Sequence, residues 1–239
     1  MSRTHTMHPL PNPLPKGDGT GADPAAAMDR MYRYTRHAYD LSRRWYLLGR
    51  DRMLRGLDVP PGGTVLEIGC GTARNLITLA GLTATLTPPP RLYGVDASQQ
   101  MLDTAAGKLA GAGLAGRVQL QQGLAERLHP CDLGVEAFDR VYFSYCLSMV
   151  PPWREAVDAA LAALRPDGSL HVVDFYDQAD LPAWFRRTLV RWLAMFHVHY
   201  RAELLPYLEA AAARHGATCR VEPVARRYAF IAVLQLPGG

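Results

Sequence analysis

Residues 65–75 read Val-Leu-Glu-Ile-Gly-Cys-Gly-Thr-Ala-Arg-Asn: a short apolar strand, a Gly-x-Gly turn and the start of a helix. Few folds use such a unit. Glycines at 69 and 71 let the backbone adopt φ values closed to other residues and approach a ligand closely. The strand must be covered on both faces, because nothing in it is polar except Glu67. A ligand held by this turn sits at the carboxyl ends of the strands, where an open α/β sheet changes direction.

The rest of the chain repeats the unit. Thr64–Ile68, Leu92–Asp96, Val118–Gln122, Phe138–Phe143 and Ser169–Phe175 read as strands. Helices are expected over Ala73–Leu82, from Ser98 as N-cap to about Ala110, and over Trp153–Leu164, ended by the Arg165-Pro166-Asp167-Gly168 turn. Strands alternating with helices imply right-handed crossovers and a mostly parallel sheet. A helix over Glu203–Gly216 and two late strands, Thr218–Val224 and Arg227–Leu236, suggest an antiparallel end to that sheet. The expected class is α/β, doubly wound.

Three segments stand outside this rhythm. Residues 1–24, rich in Pro, Gly, Thr and Asp, are expected to be a disordered tail. Residues 25–60, with apolar and aromatic positions interleaved with Arg and Asp, are expected to form a helical lid ahead of a domain spanning 61–239. Residues 177–200 read as an inserted helical segment. Its stripe of Leu181, Phe185, Thr188, Leu189, Trp192 and Phe196, with Arg186, Arg187 and Arg191 off it, suits either a cover over a cavity or a helix lying in lipid headgroups.

Composition narrows the classes. With 49% hydrophobic and 20% charged residues the chain is globular in character, and no apolar run reaches the roughly 20 residues of a membrane-spanning helix. No apolar stretch near the start has signal-peptide character, so a cytoplasmic location is expected. The four cysteines, Cys70, Cys131, Cys146 and Cys219, form no CxxC pair and match no zinc spacing, so no metal is expected. The net charge of +4 comes from scattered arginines rather than a basic, aromatic-interleaved face, which argues against nucleic acid.

The turn also constrains its ligand. A dinucleotide site favours a third glycine at position 74, which is Arg74 here. Glu67 beside the turn suits a cationic ligand better than a pyrophosphate. Asp96, ending the second strand, can accept hydrogen bonds from ribose hydroxyls. The pattern Glu67-x-Gly69-x-Gly71 with Val95-Asp96 resembles the class I S-adenosylmethionine-dependent methyltransferases, from Tyr32 to about Leu236. That resemblance implies a Rossmann-like seven-stranded sheet with S-adenosyl-L-methionine as cofactor and S-adenosyl-L-homocysteine as product. Gly69 and Gly71 would contact the amino-acid part, Asp96 the ribose, Ala97 and Met101 the adenine, with Ser144 under the methyl group. Tyr39, Glu67, Cys70 and Asn75 complete the expected cofactor set with Gly123, Leu124 and Ala125. Many members carry Gly-Asp-Ala at these last three positions, and Leu124 cannot accept the adenine hydrogen bond that the Asp does.

The Asn/Asp-Pro-Pro-Tyr/Phe motif of nucleobase methylation is missing after the fourth strand, where the chain reads Phe143-Ser144-Tyr145-Cys146. The stretch from Tyr39 through Tyr46-Leu47-Leu48-Gly49-Arg50-Asp51 closely resembles bacterial N-methyltransferases that make the betaine lipid diacylglyceryl-N,N,N-trimethylhomoserine. So do Tyr145-x-Leu147-Ser148-Met149-x-Pro151 and Leu164–Phe175. This implies a homoserine-headed lipid, methylated three times on its amine at the inner face of a membrane to which the protein associates peripherally. Tyr32, Tyr46, Tyr145 and His197 are candidates for orienting the amine and relaying its proton. Arg33, Arg43, Arg50 and Tyr200 are candidates for holding the headgroup. Two rivals are a phosphatidylethanolamine or other small-amine N-methyltransferase, and a cofactor-binding protein without catalysis.

Overall fold

The computed structural model describes residues 47–182, 187, 188 and 200–239. The tail at 1–24, all but the end of the 25–60 lid, most of the 177–200 insertion, and Tyr32, Arg33, Tyr39, Arg43, Tyr46 and His197 lie outside them.

Strands β1 (Thr64–Ile68), β2 (Arg91–Asp96), β3 (Val118–Gln122), β4 (Phe138–Ser144), β5 (Leu164–Phe175), β6 (Thr218–Val224) and β7 (Ala229–Gln235) form one sheet of order β3-β2-β1-β4-β5-β7-β6. The first five run parallel, and β7 pairs antiparallel with both β5 and β6. All five residues of β1 are buried, as a central strand covered on both faces requires.

Alternation along the strands divides the core in two. Leu66, Val141, Phe143, Leu170 and Val172 face α4 (Trp153–Ala162) and α5 (Leu204–Arg214). Val65, Tyr142, Val173 and Ile231 face α1 (Arg50–Arg55), α2 (Arg74–Leu82) and α3 (Gln99–Gly111). Each longer helix lays one stripe on the sheet; α4 buries Trp153, Ala156, Val157, Ala160 and Leu161. Ser98 caps α3, its Oγ accepting from the Met101 N–H at 3.4 Å.

One expected boundary moves. Helix α4 ends at Ala162, and Leu164 already pairs with Phe138. The Arg165–Gly168 stretch is therefore a bulge inside β5, after which Ser169 pairs with Arg140. Asp167 takes φ +63 there, its N–H donates to Pro237 O (3.0 Å), and the Leu236 N–H donates to Gly168 O (2.9 Å). The tail of β7 thus fastens the bulge.

Candidate cofactor and acceptor site

At the carboxyl end of β1 the chain bends back over β2. The N–H groups of Gly69 and Cys70 both donate to Val95 O, at 2.8 and 3.1 Å. Gly69 and Gly71 take φ +75 and +52, the left-handed region the sequence assigns to them. Asp96 ties this turn to the next: Oδ2 accepts from the Gly71 N–H (2.8 Å) and Oδ1 from the Ser98 N–H (2.9 Å). A carboxylate oxygen can accept more than one hydrogen bond, so these two bonds do not by themselves exclude a ligand hydroxyl. Gly123 joins the same rim through its N–H to Asp96 O (3.0 Å), and Gln122 donates to Ala97 O (3.1 Å). Met101 and Ala125 are buried below, while Ala97 and Leu124 are half-buried.

Strand β4 delivers the other wall. Ser144 is buried, and its Oγ has no hydrogen-bond partner among the described residues. Tyr145 takes φ +54, costly for a bulky residue, with its N–H on Val173 O (2.8 Å) and its hydroxyl donating to Leu48 O (2.5 Å). That bond fastens the end of the expected lid to the strand rim. Phe175 meets the Tyr145 ring edge-on at 4.7 Å and Tyr228 at 5.9 Å, forming an aromatic wall. Cys146 lies so close to the turn that a Cβ built on Gly69 would stand 2.4 Å from its Sγ.

Glu67 lies behind the turn, 1% exposed. It accepts from Asn75 Nδ2 (2.7 Å) and from the Tyr142 hydroxyl (3.1 Å), bracing β1 against α2 and β4. Burial pushes its carboxyl up to about 8, against the pull of those two bonds and of Arg50. It is therefore mostly protonated at neutral pH, and the negative charge on the rim falls to Asp96. Asn75 likewise spends its amide on Glu67. A group whose pKa is raised by folding stabilises the fold fully only below its ordinary value, and that stability is lost as pH rises through the folded value. Glu67→Gln, which cannot ionise, should hold its melting temperature between pH 6 and 9. The wild type should lose about 2–3 kcal/mol over that interval, at 1.36 kcal/mol per pKa unit. Thermal melts of the ligand-free proteins at both pH values measure the difference.

Arg50 is 9% exposed, donates from Nε to Leu47 O (3.2 Å), and is near enough to Glu67 to act on its titration. It also lines a recess of about 300 Å³ with Asp51, Arg52, Arg55 and Arg74. There Arg74 is held by both Asp51 oxygens (2.6 and 3.3 Å), and Arg52 pairs with Glu222. Tyr200 is 43% exposed and lies toward Asp177 and Arg227, at the exit of β5. Among the described residues no group of His, Cys, Asp or Glu is placed to hold a metal, and no helix is long and apolar enough to cross a membrane.

The profile of a methyltransferase domain matches residues 65–168, which contain the whole rim from Gly69 to Cys146. The demethylmenaquinone methyltransferase of Lactobacillus johnsonii is 31% identical over 125 residues, covering 52% of this chain and 49% of that protein. The ubiquinone/menaquinone biosynthesis C-methyltransferase UbiE of Geobacter sulfurreducens is 25% identical, over 58% of this chain and 50% of its own length. The chain spans about half the length of most of the curated relatives it matches. Among solved structures, a SAM-dependent methyltransferase from Aquifex aeolicus superposes with a TM-score of 0.59 at 16% identity, over 87% of this chain and 97% of that one. That likeness establishes the Rossmann-like methyltransferase fold. The profile match and the fold together point to S-adenosylmethionine as the cofactor.

The residues fit it. The glycine turn brings open backbone to the strand ends, Asp96 supplies a carboxylate at that turn, and the Ser144 hydroxyl is buried with no hydrogen-bond partner among the described residues. Sequence reasoning missed Cys146 as the residue that shapes the turn. Only its spacing from Ser144 marked it, and a cysteine after a strand carries no such signal by itself.

Proposed function

We propose that the protein transfers methyl groups from S-adenosylmethionine to the amine of a homoserine-headed diacylglycerol lipid, three times, giving the trimethylated betaine lipid. Asp96 carries the cofactor half of this reading: its two oxygens gather the Gly71 turn and the start of α3 around one acceptor-rich point. The acceptor half rests on the residue patterns at 39–51, 145–151 and 164–175. The bound cofactor supplies a methyl group on a positively charged sulfur.

The chain's own groups have three tasks. They align the amine nitrogen with the methyl group, which supplies most of the rate. They pass a proton from an ammonium whose pKa is roughly 10 to water. They tolerate the charge left after methylation. The Tyr145 hydroxyl donates to Leu48 O, and a hydroxyl that donates can also accept, which suits it to orient an amine N–H. Tyr145, Phe175 and Tyr228 form an edge-to-face aromatic wall, the kind of surface that a trimethylammonium group binds by cation–π contact. In this reading the headgroup is drawn from the inner face of a membrane by transient contact, with Arg50 and Tyr200 as candidates for holding it.

A second reading is favoured by the names of the relatives: methylation of a ring carbon in a quinone precursor. Incubation with methyl-labelled S-adenosylmethionine and a total lipid extract separates the readings. Label in trimethylhomoserine lipid supports the proposal. Label in phosphatidylcholine moves the substrate to phosphatidylethanolamine, and label in quinone selects the second reading. No label, with cofactor binding intact, leaves a cofactor-binding protein.

A further inference from the structure

The loop that follows β4 is held from two sides by groups that none of the roles above uses. Asp174, one residue before the end of β5, is 1% exposed. Its Oδ2 accepts from the Ser148 N–H (3.1 Å) and its Oδ1 from the Phe175 N–H (2.8 Å). From the other side Arg201, in the segment before α5, donates from Nε to Leu147 O (3.0 Å) and from Nη2 to Val150 O (3.1 Å). Within the loop the N–H groups of Met149 and Val150 both return to Cys146 O, at 2.9 and 3.2 Å.

A buried carboxylate is expensive, and an apolar side chain at this point of β5 would pack as well. Its benefit must lie in what it holds. The loop begins with Tyr145 in the left-handed region and Cys146 against Gly69. A line of contacts therefore runs from Asp174 through Ser148 to the cofactor turn. The Ser148 Oγ is buried close enough to Asp174 to act on its titration, but makes no hydrogen bond of good geometry among the described residues. The carboxylate thus acts on the loop chiefly through the backbone.

We propose that Asp174 is a positioning residue of the methyl-transfer site: with Arg201 it clamps the Cys146–Val150 loop and so fixes Tyr145 and Cys146 against the cofactor turn. The transfer reaction belongs to the function proposed above, whereas the clamp can be tested without it. Ionisation of Asp174 sets the grip. Burial raises its pKa to about 6, opposed by the Phe175 and Ser148 N–H groups, the Ser148 hydroxyl and Arg201. Arg201 is in turn flanked by Arg154 of α4 and by Glu203, which pair with each other. As pH falls through 6 the carboxylate is protonated and Ser148 loses its charged acceptor.

Amide hydrogen exchange on the full chain, followed over residues 144–150 from pH 5 to pH 8 and corrected for the intrinsic pH dependence, tests this. Wild-type protection should fall about tenfold on going below pH 6, the scale of one charge-assisted hydrogen bond. Asp174→Asn should exchange at the wild type's low-pH level at every pH, with affinity for S-adenosylhomocysteine within about threefold of wild type, a factor worth under one hydrogen bond. Where methyl transfer is detected, Asp174→Asn should lower kcat with KM for S-adenosylmethionine little changed, and should remove the acid limb of the pH profile. Equal, pH-independent protection in wild type and Asp174→Asn would overturn the proposal whether or not transfer is found. If Asp174→Asn does not fold, the wild-type titration and Arg201→Gln, which should loosen the same loop, decide the matter.

Discussion

Gly69→Ala should abolish measurable binding of S-adenosylhomocysteine. The residue sits at φ +75, where a side chain costs about 1–2 kcal/mol. Its Cβ would stand 2.4 Å from Cys146 Sγ and 3.0 Å from Cys146 Cβ. Neither neighbour is free to retreat, because the Cys146 carbonyl anchors the loop behind it and Tyr145 is pinned to Val173 O and Leu48 O. Overpacking of this kind typically costs a further 1–3 kcal/mol, so the turn should shift and affinity should drop by about a hundredfold or more. Calorimetric titration, with circular dichroism to show a folded chain, measures it. Adding Cys146→Ala should recover part of the loss, because it removes the sulfur overlap and leaves the backbone cost. No recovery would mean that the sulfur contact is not what limits the turn.

The second large effect is expected at Asp96. Asp96→Ala removes the proposed ribose acceptor and, in the same step, the bonds that hold the Gly71 and Ser98 N–H groups. Hydrogen bonds to a charged group are worth about 1.5–3 kcal/mol, so affinity for S-adenosylmethionine should weaken about 10- to 150-fold. Asp96→Asn keeps one acceptor oxygen but must turn an N–H donor toward one of those backbone donors, so it should fall between Ala and wild type. Titrations of the three proteins decide it. Affinity for Asp96→Ala equal to that of wild type would remove the ribose assignment.

Much of this architecture is legible in the sequence for identifiable reasons. Central strands such as Thr64–Ile68 are buried on both faces and therefore read as mostly apolar runs with little alternation. Ser98 announces its helix by its chemistry. Gly69 and Gly71 mark a turn that needs positive φ. The Arg165–Gly168 stretch misleads because its Pro-Asp-Gly content is that of a turn between elements. Only the long-range bonds to Leu236 and Pro237 show it to be a bulge within one strand. Glu67 misleads for a related reason: its position beside the turn suggests a charge facing the ligand, whereas burial, visible only in three dimensions, leaves it protonated and turned to Asn75 and Tyr142. Asp174 and Arg201 carry no local signal, since their meaning lies in a loop 26 and about 50 residues away in sequence.

The central claim is that the rim around Gly69, Gly71 and Asp96 holds a sulfonium nucleoside. Isothermal titration of the folded chain with S-adenosylmethionine and with S-adenosylhomocysteine tests it most directly. The account predicts saturable binding of both at one site per chain, accompanied by a rise in melting temperature. A folded protein that shows neither heat of binding nor thermal shift with either compound would contradict it.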